Sequence, residues 1–260
     1  MLSPQGGERE RKTCCRRAVA IGGYAEGVPQ RFDSRFPMSR TQPRDPESQV
    51  MEKAYAHWAP IYDALCGPIF VNGRRAAAQA ARTVGGQILE IGVGTGLSFD
   101  DYDASTEITG IDISEPMIAR ARIRAASGRY PFVKGLAVMD AHNLRFEDAS
   151  FDCVVGQFVI TLVQDPERVL GECARVVKPG GQIILVNHLY SERGFAAAVE
   201  RLLAKKAHAV GLRPEFPFQR LADWATSHGG AELIERRKVK PFGVYTLVRF
   251  KRLEQQSVAA

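Results

Sequence analysis

No run of eighteen apolar residues occurs anywhere in these 260 residues, which excludes a helix of the kind that crosses a bilayer. The longest apolar stretches, 153–163 and 182–187, have the length of strands. Cysteine is scarce and unpaired in pattern. The five residues Cys14, Cys15, Cys66, Cys153 and Cys173 form no C-x-x-C pair, and their number is odd. That excludes a disulfide framework and fits a reducing cytoplasm, and no metal site is expected. Cys153, inside an apolar run, reads as a small buried hydrophobe. No internal repeat is visible, and the first 48 residues lack the continuous hydrophobic core of a secretory signal. What remains, 45% hydrophobic and 25% charged, is the balance of a globular protein.

The formal charge of +6 sits at the ends of the chain. Residues 1–50 hold nine basic and six acidic side chains, and residues 232–260 hold seven and three. The stretch between them is close to neutral, with nineteen basic and twenty acidic. A nucleic-acid reader spreads Lys and Arg over a folded face, so no nucleic-acid partner is expected. Basic ends instead suit loose attraction to anionic surfaces, membranes included, or merely keep the protein soluble.

Residues 1–48 are rich in Arg, Gln, Ser, Pro and Gly without apolar period and read as a disordered extension. Met38 or Met51 would serve equally well as first residue, which leaves a start-site overcall open. Residues 49–83 read as an amphipathic helical segment broken at Pro60 and Pro68, ended by the glycine pair Gly85-Gly86. From 84 to 254, strand and helix patterns alternate. Strands are expected at 87–91, 108–113, 136–139, 151–159, 182–187, 232–239 and 243–252. Helices are expected from 97, at 116–126 (opened by Ser114 as cap), 166–177 (stopped by Pro179-Gly180-Gly181), 194–210 and 220–227. Residues 255–260 form a tail. The expected fold is α/β, a seven-stranded Rossmann-like sheet, mostly parallel, with an antiparallel C-terminal hairpin and helices on both faces.

The chemistry centres on Glu90-Ile91-Gly92-Val93-Gly94-Thr95-Gly96, between the first strand and first helix. Glycines here let the backbone turn tightly and bring its amides to a ligand. The spacing is G-x-G-x-G, with an acid two residues before the first glycine, where a dinucleotide fingerprint reads G-x-G-x-x-G. A carboxylate at that place repels a pyrophosphate and attracts the ammonium and sulfonium of S-adenosylmethionine. Asp112, at the tip of the second strand, can accept both ribose hydroxyls. Asp140-Ala141, after the third strand, suits the adenine amino group, and Gln157 ends the fourth strand beneath the expected sulfonium. Ile113 and Met117, beside Asp112, complete the set of cofactor-binding candidates.

On the LEIGVGTG and ITGIDIS segments, residues 84–253 resemble the class I S-adenosylmethionine-dependent methyltransferases. The stretch KAYAHWAPIYDALCGPIFVNGRRAAAQAA (53–81), with LAVMDAHNLRFEDASFDCVVGQFVITLVQDPE and IILVNH, is similar to the soluble bacterial phospholipid N-methyltransferases. That resemblance implies stepwise methylation of phosphatidylethanolamine toward phosphatidylcholine by a cytoplasmic monomer held peripherally at the inner face of the membrane. It also implies an N-terminal amphipathic helix that docks on anionic lipid, here with Tyr55, Trp58, Tyr62, Ile69 and Phe70 flanked by Lys53, Arg74 and Arg75. An aromatic face with basic flanks is what an interfacial helix needs, although the same face could pack on the sheet as a lid. A second apolar stripe with basic neighbours lies in 194–210, where sheet packing is the alternative.

A sulfonium methyl is already activated, so the acceptor amine needs only to be unprotonated and in line. Tyr62, Asp63 and His188 are the candidates to take or relay its proton. Two other readings stay open. Quinone C-methyltransferases share a similar lead-in and the same sheet, and a membrane-peripheral cofactor-binding protein without catalysis would use the same fold. DNA and RNA amino methyltransferases are disfavoured, because Gly156-Gln157-Phe158-Val159 lacks their Asn/Asp-Pro-Pro-aromatic run.

Overall fold

The computed structural model describes residues 67–189, 216–240 and 243–254. The expectations for the 1–48 extension, the lid residues up to 66, the 194–210 helix, Pro241-Phe242 and the tail fall outside the described residues.

Helix α1 (67–84) carries Ala76, Ala77, Ala78, Ala80 and Ala81, all buried, and these small side chains let its backbone lie close on the sheet. It stops where expected. Gly85, at φ 72°, donates its N–H to the Ala81 carbonyl at 2.9 Å. Next come β1 (Gly86–Ile91), a single 3₁₀ turn (Leu97–Asp101), β2 (Thr106–Asp112), α2 (Glu115–Ala125) and β3 (Val133–Val138). After them run β4 (Phe151–Gln157), α3 (Pro166–Val176), β5 (Val177–Asn187), α4 (Phe218–His228), β6 (Ala231–Lys238) and β7 (Thr246–Arg252).

The seven strands form one sheet in the order β3-β2-β1-β4-β5-β7-β6. Strands β1 to β5 pair in parallel, and β7 is antiparallel to both β5 and β6. The hairpin thus closes the sheet as expected, but it is the last strand that enters between β5 and β6. Side chains alternate between two cores. Ile88, Ile108, Val155, Ile184 and Leu247 face α1 and α2, whereas Leu89, Val154, Ile183, Leu185 and Val248 face α3 and α4. Cys153 and Cys173 are free and buried, and burial pushes the Cys173 thiol up to about 12.

Three local expectations give way to tertiary contacts. The element after the glycine loop is one 3₁₀ turn, because Tyr102 leaves the helical region (φ −102°, ψ 170°) to bury its ring. Ser114 stands at the N-cap of α2 but makes no capping hydrogen bond, and its Oγ is buried without a partner. Pro179-Gly180-Gly181 lies inside β5 as a bulge. Val177 pairs with Phe151 and Gln182 with Cys153, and a Cβ on Gly181 would lie 2.6 Å from the Asp152 carbonyl.

Strand order reverses between β1 and β4. In such sheets the crevice at the strands' C-terminal ends is where ligands bind.

Candidate functional site

The glycine loop follows β1 and is held by hydrogen bonds within itself and to β2 and α2. Val93 N–H donates to the Ile111 carbonyl (3.0 Å), Gly96 N–H to the Val93 carbonyl (3.0 Å), and Arg124 Nε of α2 to the Thr95 carbonyl (3.1 Å). Gly92, Gly94 and Gly96 all have positive φ, at 68°, 56° and 78°. They are not equivalent. A Cβ on Gly92 would strike Val159 at 2.8 Å and one on Gly96 would strike Phe99 at 2.4 Å, while one on Gly94 meets nothing within 4 Å. The outer two glycines satisfy packing, and the middle one leaves backbone open to a ligand.

Glu90, the last but one residue of β1, is 1% exposed. Burial pushes its carboxyl up to about 7, against the pull of the nearby Ser98 and Tyr102 side chains. Its Oε2 is buried without a hydrogen-bond partner among the described residues. Tyr102, also buried, has its phenol held well above the ordinary value by burial and by the Glu90 charge, so its hydroxyl remains a donor. Gln157, at the tip of β4, donates Nε2 to that hydroxyl at 3.3 Å, and its own Oε1 has no partner among the described residues. Glu90, Tyr102 and Gln157 therefore form one buried polar group. Sequence reasoning singled out Glu90 and Gln157 but missed Tyr102 and Ser98, because the 3₁₀ turn that aims them has no periodic signature.

Asp112 ends β2, partly buried. Its Oδ2 accepts the Gly94 N–H and its Oδ1 accepts the Ser114 N–H, both at 2.9 Å. Burial raises its pKa, and these backbone amides, with that of Ile113, counter the rise. Each oxygen keeps lone-pair capacity for a further hydrogen bond, so the residue pins the glycine loop without exhausting its acceptors. Met117 is buried in the first turn of α2 and Ile113 is half-buried. Asp140 is exposed. Its Oδ1 meets the N–H (2.9 Å) and Nδ1 (2.7 Å) of His142, the side-chain bond holding the carboxyl below its ordinary value, and Ala141 lies half-buried between them.

Past Gln157 the chain turns sharply. Phe158, next after the C-terminal end of β4, has φ 59°, a strained conformation for a bulky residue. Its ring packs on Phe70 of α1 (centroids 4.4 Å apart) and edge-on to Tyr245 (4.9 Å). At the tip of β5, Asn187 is buried and His188 half-buried.

The two arginines offered for membrane contact separate. Arg75 is 69% exposed at its side chain, and only its Nε approaches Asp101, 3.5 Å from Oδ1. Arg74 is turned inward. Its Nε lies 3.4 Å from Asp101 Oδ2 and its NH1 donates to the Gly67 carbonyl at 3.0 Å. The expectation of a surface cation at Arg74 is therefore corrected: the carboxylate behind the 3₁₀ turn draws it in. Arg74→Ala should cost about 2 kcal/mol of stability, because Asp101 loses its more buried partner and keeps only Arg75, and Arg75→Ala under about 1 kcal/mol. Thermal melts of both variants check this, and equal losses would contradict it. Tyr55, Trp58, Tyr62 and Asp63 lie outside the described residues.

A family model described as a methyltransferase domain matches residues 89–185. A phosphatidylethanolamine N-methyltransferase of Cereibacter sphaeroides is 39% identical over 206 residues, covering 79% of this chain and 99% of its own. A demethylmenaquinone methyltransferase of Renibacterium salmoninarum is 35% identical over 143 residues, 54% of this chain and 58% of its own. Among solved structures, a SAM-dependent methyltransferase from Thermotoga maritima superposes with a TM-score of 0.56 at 22% identity, covering 76% of this chain and 98% of that one. The last likeness concerns the fold alone.

The chain belongs to the class I S-adenosylmethionine-dependent methyltransferases. Its cofactor is S-adenosylmethionine, and the residues present fit it. Among the described residues, Glu90 Oε2 is a buried acceptor without a partner, and a Cβ on Gly94 would meet nothing within 4 Å.

Proposed function

We propose that this methyltransferase acts on the amine of phosphatidylethanolamine and its methylated intermediates, toward phosphatidylcholine, at an anionic membrane surface. The observation that carries this reading is the likeness to the Cereibacter sphaeroides phosphatidylethanolamine N-methyltransferase, which extends over almost the whole of that protein. Shorter matches to demethylmenaquinone methyltransferases keep a quinone C-methyltransferase as the second reading.

Bound S-adenosylmethionine supplies a methyl on a positively charged sulfur. On this reading Glu90 and the Gly92, Gly94 and Gly96 backbone hold its methionine end, and Asp112 its ribose. Ile113, Met117, Asp140 and Ala141 enclose the adenine, and Gln157 lies beneath the sulfonium. Asp140 Oδ2 serves the adenine amino group, since Oδ1 is engaged by His142. The acceptor's lone pair forms the N–C bond as the S–C bond breaks, the bonding pair staying on sulfur. A primary or secondary acceptor then sheds one proton, toward His188, Tyr62 or Asp63, and a tertiary acceptor sheds none. Tyr55 and Trp58, with Lys53 and Arg75, make the membrane contact. No helix of the described residues is long and apolar enough to cross a membrane.

Labelled cofactor and full-length protein, offered vesicles with phosphatidylethanolamine or a demethylated quinone, decide between the readings. Label in the amine lipid supports the proposal, and label only in the quinone overturns it. Membrane contact has its own test. Lys53→Ala with Arg75→Ala should weaken co-sedimentation with anionic vesicles by about 1 kcal/mol per charge, and added salt should mimic the change. Binding that is indifferent to anionic lipid would remove this contact.

A further inference from the structure

The polar pair at the end of β5 and β7 belongs neither to the glycine loop nor to the Glu90 group. Along these strands the face toward α3 and α4 is apolar, with Leu185 opposite Val248. Two residues on, at the tip, the pair becomes Asn187 opposite Thr246. These side chains are only 1% and 2% exposed. Even so, Asn187 Oδ1, Asn187 Nδ2 and Thr246 Oγ1 all lack a hydrogen-bond partner among the described residues. Buried orphans of this kind destabilise a fold, and an aliphatic pair like Leu185–Val248 would avoid the cost. Three of them together, at the ligand-binding end of the sheet and beside His188, imply a polar group that they receive.

We propose that Asn187, seconded by Thr246, receives the N–H of the methyl acceptor. This rests on the amine-acceptor reading above. A buried amide suits the task better than a carboxylate would. Methyl transfer needs the amine neutral, and a neutral amide beside it leaves that form undisturbed, whereas a carboxylate in the same place would favour the ammonium. The amide oxygen accepts an N–H without altering that balance. The acceptors differ in what they offer. A neutral primary amine has two N–H groups, the monomethyl amine one, and the dimethyl amine none. Asn187 therefore assists the first two transfers and not the third.

The test uses full-length protein, Asn187→Leu and Asn187→Asp, with vesicles containing phosphatidylethanolamine or its dimethyl form. Asn187→Leu should raise KM for phosphatidylethanolamine by about tenfold, the value of one hydrogen bond, and leave KM for the dimethyl lipid and the Kd for cofactor nearly unchanged. Its Tm should rise, because orphaned polar atoms are replaced by a side chain that suits the core. Asn187→Asp should move the acidic limb of the kcat/KM profile for phosphatidylethanolamine to higher pH. Equal losses on both lipids, no loss on either, a lower Tm for Asn187→Leu or an unmoved pH profile would each overturn the assignment. If the wild-type protein methylates neither lipid but does methylate a quinone, the amine reading itself fails, which these variants do not confuse with failure of Asn187.

Discussion

Replacing Glu90 by Gln should make the free protein more stable at pH 8 while weakening its hold on S-adenosylmethionine. The carboxyl is fully buried, and its pKa stands at about 7 against an ordinary 4.5. Because the folded state binds this proton more tightly than the unfolded state, stability falls as pH rises through that interval and levels off above it. The difference amounts to about 3 kcal/mol. Gln removes the ionisation, so the variant should lose that part of the pH dependence and exceed the wild type above pH 7. Cofactor binding should run the opposite way. If the ligand's ammonium lies against Glu90, binding draws the carboxyl to its charged form and expels its proton when the free protein holds one. Wild-type affinity should therefore climb between pH 5 and 7 and then flatten, with proton uptake by the buffer visible in calorimetry below pH 7. Glu90→Gln should show weaker, pH-independent binding. A wild-type affinity that is level from pH 5 to 8 would separate Glu90 from the cofactor.

Asp112 should be the second costly position, for two reasons at once. Its oxygens take the Gly94 and Ser114 amides, so they shape the loop before any ligand arrives. Their remaining lone pairs are the proposed seat of the ribose hydroxyls. Asp112→Ala loses both, and cofactor affinity should drop by about 2–3 kcal/mol, some 30- to 150-fold. Asp112→Asn keeps the shape but has one oxygen where two are needed, so it should fall nearly as far. Calorimetry with S-adenosylhomocysteine reads both variants without needing an acceptor. If Asn restored most of the affinity, one hydroxyl contact would suffice and the two-fold role would be wrong.

Much of this site is legible along the chain, because its signals are local. The G-x-G-x-G spacing after an apolar strand, Glu90 two residues before it and Asp112 at the next strand end need only short-range geometry to be meaningful. The alternation of buried strands with helices likewise carries the sheet and its closing hairpin. What the chain could not reveal involves partners far apart in sequence. The charge of Arg74 reads as surface until Asp101, 27 residues on, turns it inward. Glu90 reads as a standing negative charge. It is burial in the packed sheet that raises its pKa, against the pull of the Ser98 and Tyr102 side chains. Asn187 reads as an ordinary polar strand end until β7 enters beside β5 and sets Thr246 opposite it in a place that water does not reach. Residue type and spacing thus determined the fold, the cofactor and the loop that meets it. The tertiary structure decided which polar groups are ionised, which are paired and which are left waiting, because those properties depend on burial, and burial exists only once distant segments pack.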